Sequence, residues 1–304
     1  MGGILMFLVA FFTLAGCGIS ESEVPDKNQM GQQSMRTENK SAMPNEHGNL
    51  EVYEYRQQEI TVLNNEQKIY GIAYIPETGE QKIPLVICAH GLGADYASCL
   101  DYAEEFATHG LAVYCFDFRG GGGIRSDGDT TEMSVMTEVS DLESILAAAE
   151  EWEFVDTGRI VLFGESQGGI ASAIAAARHT ERVAGLILEY PAFLVSDSVR
   201  ELYDSPEEVP ESFFFNWITV GRPYVVDMWD YDVYGEIGNF EKKVLLMHGS
   251  ADRIVPISYS DRAAEVYENA DYYVIDGAGH GFWGAAYHQS LTYIYGYLQE
   301  IGVI

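Results

Sequence analysis

From Glu51 to Ile75 apolar and polar residues alternate on either side of Asn64-Asn65, a turn-forming pair, which predicts an antiparallel opening hairpin. From Pro84 onward the pattern changes to short apolar runs: Leu85 to Ala89, Leu111 to Phe116, Ile160 to Phe163, Ala184 to Leu188 and Val244 to Met247. Runs of this kind, rich in Val, Ile, Leu and aromatics, predict strands buried on both faces. Helical stretches lie between them, Tyr102 to His109 closed by Gly110, and Val139 to Trp152, where Leu142, Ile145, Leu146 and Ala149 recur at helical spacing. The alternation predicts an α/β fold with a mostly parallel central sheet flanked by helices, its ligand site at the carboxyl ends of the strands. The segment from 191 to about 240 breaks the pattern. It is inserted between two core strands and reads either as a cap over the site or as an irregular excursion, and its length favours the cap.

The chemistry concentrates where the run Ile160 to Phe163 enters Gly164-Glu165-Ser166-Gln167-Gly168-Gly169, followed by a helix of small residues from Ile170 to Ala177. Strand, sharp turn and helix around G-x-S-x-G expose a serine on a strained turn, and the glycines are needed because side chains there would collide with strand and helix. Ser166 is therefore the candidate nucleophile. A serine hydroxyl needs a base to take its proton, and His280, in the glycine-rich loop Asp276 to Phe282 after a strand Tyr272 to Ile275, is the best placed. The orienting acid belongs between them in chain order. Asp252, in the loop after Val244 to Met247, is the candidate, with Asp276 and Asp227 as rivals and helix capping as its plain alternative. The backbone N–H groups of Gln167, next to the nucleophile, and of Leu92, in His90-Gly91-Leu92-Gly93 after an early strand, are the candidate oxyanion donors. His90 itself reads as a scaffold for that loop.

Together, His90-Gly91-Leu92, Asp117-Phe118-Arg119-Gly120, the Ser166 turn, His248-Gly249-Ser250-Ala251-Asp252-Arg253-Ile254-Val255-Pro256 and Gly277-Ala278-Gly279-His280-Gly281-Phe282 resemble the α/β-hydrolase superfamily. The closer likeness is to its cinnamoyl and feruloyl esterase-like branch, which overlaps with serine aminopeptidase-like hydrolases. The resemblance covers about residue 55 to the end. It implies a cofactor-free, two-step mechanism through an acyl-enzyme, with water as the final acceptor. A serine carboxylic-ester hydrolase is the leading expectation. A peptidase or amidase using the same triad is the alternative, in which Glu207, Glu208 or Glu211 would bind a substrate ammonium. A non-catalytic surface binding protein on a hydrolase scaffold is the reading from another class. The cap supplies ten aromatics between Phe193 and Tyr234, among them Trp217 and Trp229 as expected substrate-binding residues. Such a pocket would favour aryl, hydroxycinnamoyl or medium-chain acyl esters over acetyl esters.

Ahead of this domain, Ile4 to Leu14 is almost continuously apolar and ends in Leu14-Ala15-Gly16-Cys17, which resembles a bacterial lipoprotein box. The expectation is a signal peptide over 1–16, lipidation of Cys17, a polar tether over 17–50, and a catalytic domain over 51–304 held to the extracytoplasmic side of the cell membrane. A formal net charge of −30 opposes nucleic-acid binding and leaves a small-molecule ester as the expected partner. No Cys-x-x-Cys pair and no His-Glu-x-x-His run suggests a metal. Cys88 and Cys115 fall in buried strands and are expected as free thiols, with a disulfide left open for Cys99.

Overall fold

The computed structural model describes residues 51–304. The expected signal peptide, Cys17 and the tether lie outside the described residues. Strands β1 (Tyr55–Asn64) and β2 (Gln67–Pro76) form the opening hairpin, with Asn64 paired to Gln67 and Asn65 at φ +56° in the turn between them. The remaining strands of the main sheet are β3 (Ile83–Ala89), β4 (Ala112–Phe116), β5 (Val155–Glu165), β6 (Gly185–Glu189), β9 (Val244–Gly249) and β10 (Ala270–Ile275). Their order is β1-β2-β4-β3-β5-β6-β9-β10, parallel from β4 to β10 and antiparallel at the hairpin end.

Alternate residues of the central strands face opposite layers. Leu85, Ile87, Ile160, Leu162, Leu186 and Leu188 pack with α2 (Val135–Ala149) and α3 (Ser166–Arg178). Val86, Cys88, Val161, Phe163 and Ile187 pack on the other face with α1 (Leu100–Thr108) and α8 (Ala285–Glu300). Burial on both faces is why these strands read as unbroken apolar runs. The chain steps from β3 outward to β4, then crosses to β5 on the other side of β3, so a crevice opens at the carboxyl ends of β3 and β5.

Helix α2 starts at Val135, four residues before the expected start at Val139, because Ser134 and Thr137 form a reciprocal capping box. Between β6 and β9 lie α4 (Val195–Leu202), a hairpin of β7 (Ser212–Phe215) and β8 (Ile218–Gly221), α5 (Arg222–Val226) and α6 (Val233–Ile237). Helix α7 (Ser258–Val266) follows β9. Cys88, Cys99 and Cys115 are buried free thiols. Among the described residues no helix is long and apolar enough to cross a membrane.

Candidate active site

Strand β5 ends at Glu165 and α3 begins at Ser166, which sits at φ +52°. A left-handed conformation costs a non-glycine residue about 1 kcal/mol, and such strain persists only where the surroundings impose it. The glycines around Ser166 impose it by letting backbone meet backbone. A Cβ on Gly168 would lie 2.2 Å from the Ala89 carbonyl oxygen, and one on Gly164 would lie 2.5 Å from the Gly168 oxygen. The turn is thereby pressed onto the end of β3, where Gly91 packs against the Ser166 side chain.

Three side chains from three strand ends then meet. The Ser166 hydroxyl lies 2.9 Å from His280 Nε2, and His280 Nδ1 lies 2.8 Å from Asp252 Oδ2. Nδ1–H donates to the carboxylate, which leaves Nε2 as acceptor for the serine proton. Asp252 is itself clamped: Oδ1 accepts from the amides of Ile254 (2.8 Å) and Val255 (3.0 Å). His248, on β9, places Nε2 3.3 Å from Asp252 Oδ2 and 3.0 Å from the Val255 carbonyl, while its Nδ1 accepts from Ser260 at 2.7 Å. Burial pushes the Asp252 pKa up, but the hydrogen bonds from His248, His280, Val255 and Ile254 outweigh it and hold the carboxyl well below the usual carboxylate range. The two rivals are occupied elsewhere, Asp276 by the Ser250 hydroxyl at 3.0 Å and Asp227 by the Ser134 hydroxyl at 2.6 Å.

Several hydrogen bonds fix the loop after β3. His90 Nδ1–H donates to the Gly91 carbonyl (2.8 Å) while His90 Nε2 accepts from the Phe118 amide (3.1 Å). Ala94 N–H also donates to the Gly91 carbonyl, Gly93 N–H donates to the Gly121 carbonyl, and Trp217 Nε1–H donates to the Leu92 carbonyl at 3.1 Å. The Gly91 carbonyl and the Leu92 N–H belong to one planar trans peptide and point opposite ways, so anchoring the carbonyl aims the N–H. Among the described residues, the backbone N–H groups of Leu92 and Gln167 donate to no protein acceptor. Gln167 lies in the first turn of α3, where backbone donors have no partner within the helix. Its side chain bridges the cap and the core, accepting from Tyr224 (2.7 Å) and donating to Glu138 (2.8 Å).

The two tryptophans part company. Trp217 stands at the β7–β8 turn beside the Leu92 loop, 53% exposed. Trp229 is partly buried against the core, with its carbonyl accepting from Arg200. It thus takes part in packing the insertion onto the main core. The same holds for most cap rings: Phe193, Tyr224 and Tyr234 are buried, and Tyr203, Phe213, Phe215 and Tyr224 form a chain of ring contacts. An insertion needs its own small core, and the aromatics supply it.

Sequence reasoning missed His248 behind Asp252, Trp283, 75% exposed three residues beyond His280, and Glu165 with Tyr190 beneath the nucleophile. Glu165 Oε1 accepts from the Tyr190 hydroxyl (3.0 Å), and Oε2 faces Cys99 Sγ at 3.8 Å. Burial pushes its pKa up to about 7, against the hydrogen bonds from Tyr190 and Cys99. The glutamate of Gly164-Glu165-Ser166 was the available signal, since an acid at a buried strand end requires partners. Among the described residues no group of three or more His, Cys, Asp or Glu is arranged to hold a metal ion.

With this geometry in hand, the family model for serine aminopeptidase (S33) matches residues 80–222. An uncharacterized protein of Mycobacterium tuberculosis is 30% identical over 212 residues, which span 68% of this chain and 66% of that relative. The quorum-quenching protein AidA of Acinetobacter baumannii is 31% identical over 130 residues, 42% of this chain and 41% of AidA. Among solved structures, Est1E from Butyrivibrio proteoclasticus with bound ferulic acid superposes with a TM-score of 0.71 at 22% identity, covering 81% of this chain and 100% of Est1E. The α/β hydrolase domain-containing protein 10 from mouse gives a TM-score of 0.63 at 20% identity, over 80% of this chain and 98% of the mouse protein.

Proposed function

The chain has the fold of the α/β-hydrolase superfamily, and from that premise we propose that it is a serine hydrolase that cleaves carboxylic esters through an acyl-enzyme on Ser166. The observation that carries this reading is the relay from Ser166 through His280 to Asp252, beside the Leu92 and Gln167 backbone N–H groups, which among the described residues donate to no protein acceptor. Ser166 Oγ attacks the ester carbonyl carbon as its proton passes to His280 Nε2. The oxygen charge that develops is met by the N–H groups of Leu92 and Gln167. Collapse breaks the bond to the leaving alcohol, which takes the proton from His280. Water then attacks the acyl carbon as its proton passes to His280 Nε2, and collapse breaks the bond to Ser166 Oγ, which takes that proton back as the acid departs.

The acyl group is proposed to be aryl, hydroxycinnamoyl or medium-chain. Support comes from the exposed indoles of Trp217, hydrogen-bonded to the Leu92 loop, and Trp283, three residues beyond His280, which offer apolar surface on the loops that carry the site. Est1E, similar in fold, holds ferulic acid. The match to a serine aminopeptidase family gives the second reading, a peptidase. That reading needs a carboxylate for a substrate ammonium, and Glu207, Glu208 and Glu211 are exposed on the cap. The intact relay weighs against a non-catalytic scaffold. A panel of hydroxycinnamoyl, octanoyl and acetyl esters beside aminoacyl anilides tests the assignment. The highest kcat/KM is expected for the first two, and preference for acetyl esters or anilides would overturn it.

Export and anchoring through a lipid on Cys17 complete the proposal, supported by the apolar run Ile4 to Leu14 and the Leu14-Ala15-Gly16-Cys17 box. Cys17→Ser should release the protein from membranes. Equal membrane retention of that variant would contradict it.

A further inference from the structure

The two hydrogen bonds of His280 fix the imidazole at both ring nitrogens but leave it able to tilt about the line joining them. The residues on either side of it, Gly279 and Gly281 (φ +106°), have no side chain to buttress the ring. Something outside the triad has to hold the plane of the ring.

Tyr190, the residue after β6, meets that need. Its ring packs edge-on to His280 with centroids 4.8 Å apart, and edge-on to Phe282 of the same loop at 4.9 Å. The ring is buried, and its hydroxyl donates to Glu165, the residue before the nucleophile. Tyr190 N–H donates to the Met247 carbonyl on β9, the strand that leads to Asp252. One side chain thus touches the nucleophile's strand and the histidine's loop, while its backbone is tied to the acid's strand. Tyr190 also sits at φ +39°, where a bulky residue is strained and glycine or asparagine would be easier. Retaining a tyrosine in that backbone conformation points to work done by the side chain.

We propose that Tyr190 is a positioning residue that holds the plane of the His280 ring, with Glu165 anchoring the Tyr190 hydroxyl from beneath the nucleophile. The inference rests on the reading of Ser166 as nucleophile and His280 as its base. Ring contacts of this kind add little to stability, and small displacements of a catalytic group cost far more in rate than in stability. A positioning role predicts a loss in kcat shared by all acyl groups. A pocket wall would instead change KM, and would do so selectively.

The test compares wild type, Tyr190→Phe and Tyr190→Leu with p-nitrophenyl acetate and p-nitrophenyl octanoate, together with the rate at which a fluorophosphonate labels Ser166. Active sites are titrated so that loss of folded protein does not enter the rates. Tyr190→Leu should lower kcat about 30-fold or more, by the same factor for both esters, with KM changed less than about threefold and labelling slowed in parallel. Tyr190→Phe keeps the ring and loses only the anchor, and should lower kcat by roughly three- to tenfold, less than Tyr190→Leu. Labelling of Tyr190→Leu at the wild-type rate, or a loss confined to KM or to one ester, overturns the inference while leaving the serine hydrolase reading intact. Failure of wild type to label at Ser166 overturns that reading and this inference with it. If Tyr190→Leu does not fold, Tyr190→Phe decides alone, and a wild-type kcat in that variant is the contrary result.

Discussion

Replacing Glu165 by glutamine should make the protein more stable at neutral pH and leave its stability unchanged in acid. The side chain lies under the nucleophile, with Oε1 accepting from Tyr190 and Oε2 facing only Cys99 Sγ at 3.8 Å. Burial raises its pKa from the ordinary 4.5 to about 7. A carboxyl raised in this way opposes folding only where it is ionised. The cost is therefore absent below about pH 4.5, grows as the pH rises to about 7, and is constant above that. A shift of this size corresponds to on the order of 3 kcal/mol at full ionisation. Glutamine keeps the acceptor for Tyr190 and removes the charge. Glu189, the register partner of Glu165 on β6, is pushed well above the carboxylate range by burial and then by the Glu165 charge, so neutralising Glu165 relieves it as well. At roughly 2–4 °C per kcal/mol for a domain of this size, Glu165→Gln should melt several degrees above wild type at pH 8. Calorimetric Tm values at pH 4.5, 6, 7 and 8 in matched ionic strength would show a difference that opens with pH and then levels. A difference independent of pH, or a variant less stable at pH 8, refutes the reasoning.

Other expectations follow from the same geometry. Asp252→Asn should keep the fold and lower kcat by about 10³- to 10⁴-fold, because the amide no longer fixes the His280 tautomer; steady-state kinetics on a confirmed folded variant measure it, and near-wild-type turnover would remove Asp252 from the acid role. Gly168→Ala drives a methyl group to 2.2 Å from the Ala89 carbonyl oxygen, so it should cost about 3 kcal/mol in denaturant unfolding as well as activity. Trp217→Ala removes both the donor to the Leu92 carbonyl and an exposed apolar wall, and should lower kcat/KM about tenfold or more for aryl esters, with a smaller loss for acetyl esters.

The parts of the site readable in the chain are those specified by local backbone constraints. The Ser166 turn needs glycines at fixed spacing because Gly164 and Gly168 meet backbone atoms, and that requirement is visible in six consecutive residues. The parallel, doubly covered character of the sheet follows from its apolar runs, and parallel strands bring Ser166, Asp252 and His280 to their shared carboxyl ends. The start of α2 was misplaced because its capping box uses Thr137 where the usual signal is a glutamate or glutamine. Trp217 and Trp229 look alike in sequence. What separates them is the tight turn at Asn216 (φ +54°), which carries Trp217 out to the Leu92 loop, while Trp229 is partly buried against the core. Tyr190 and Glu165 are 25 residues apart and meet only because β5 and β6 are neighbours, a contact with no periodic signature.

The central claim is that Ser166 is the nucleophile, and mass mapping of a fluorophosphonate adduct tests it most directly. The adduct should appear on the Ser166 hydroxyl of the wild-type protein, slow markedly in His280→Ala and be absent from Ser166→Ala. Label on any other residue, or undiminished labelling of Ser166→Ala, would contradict the account.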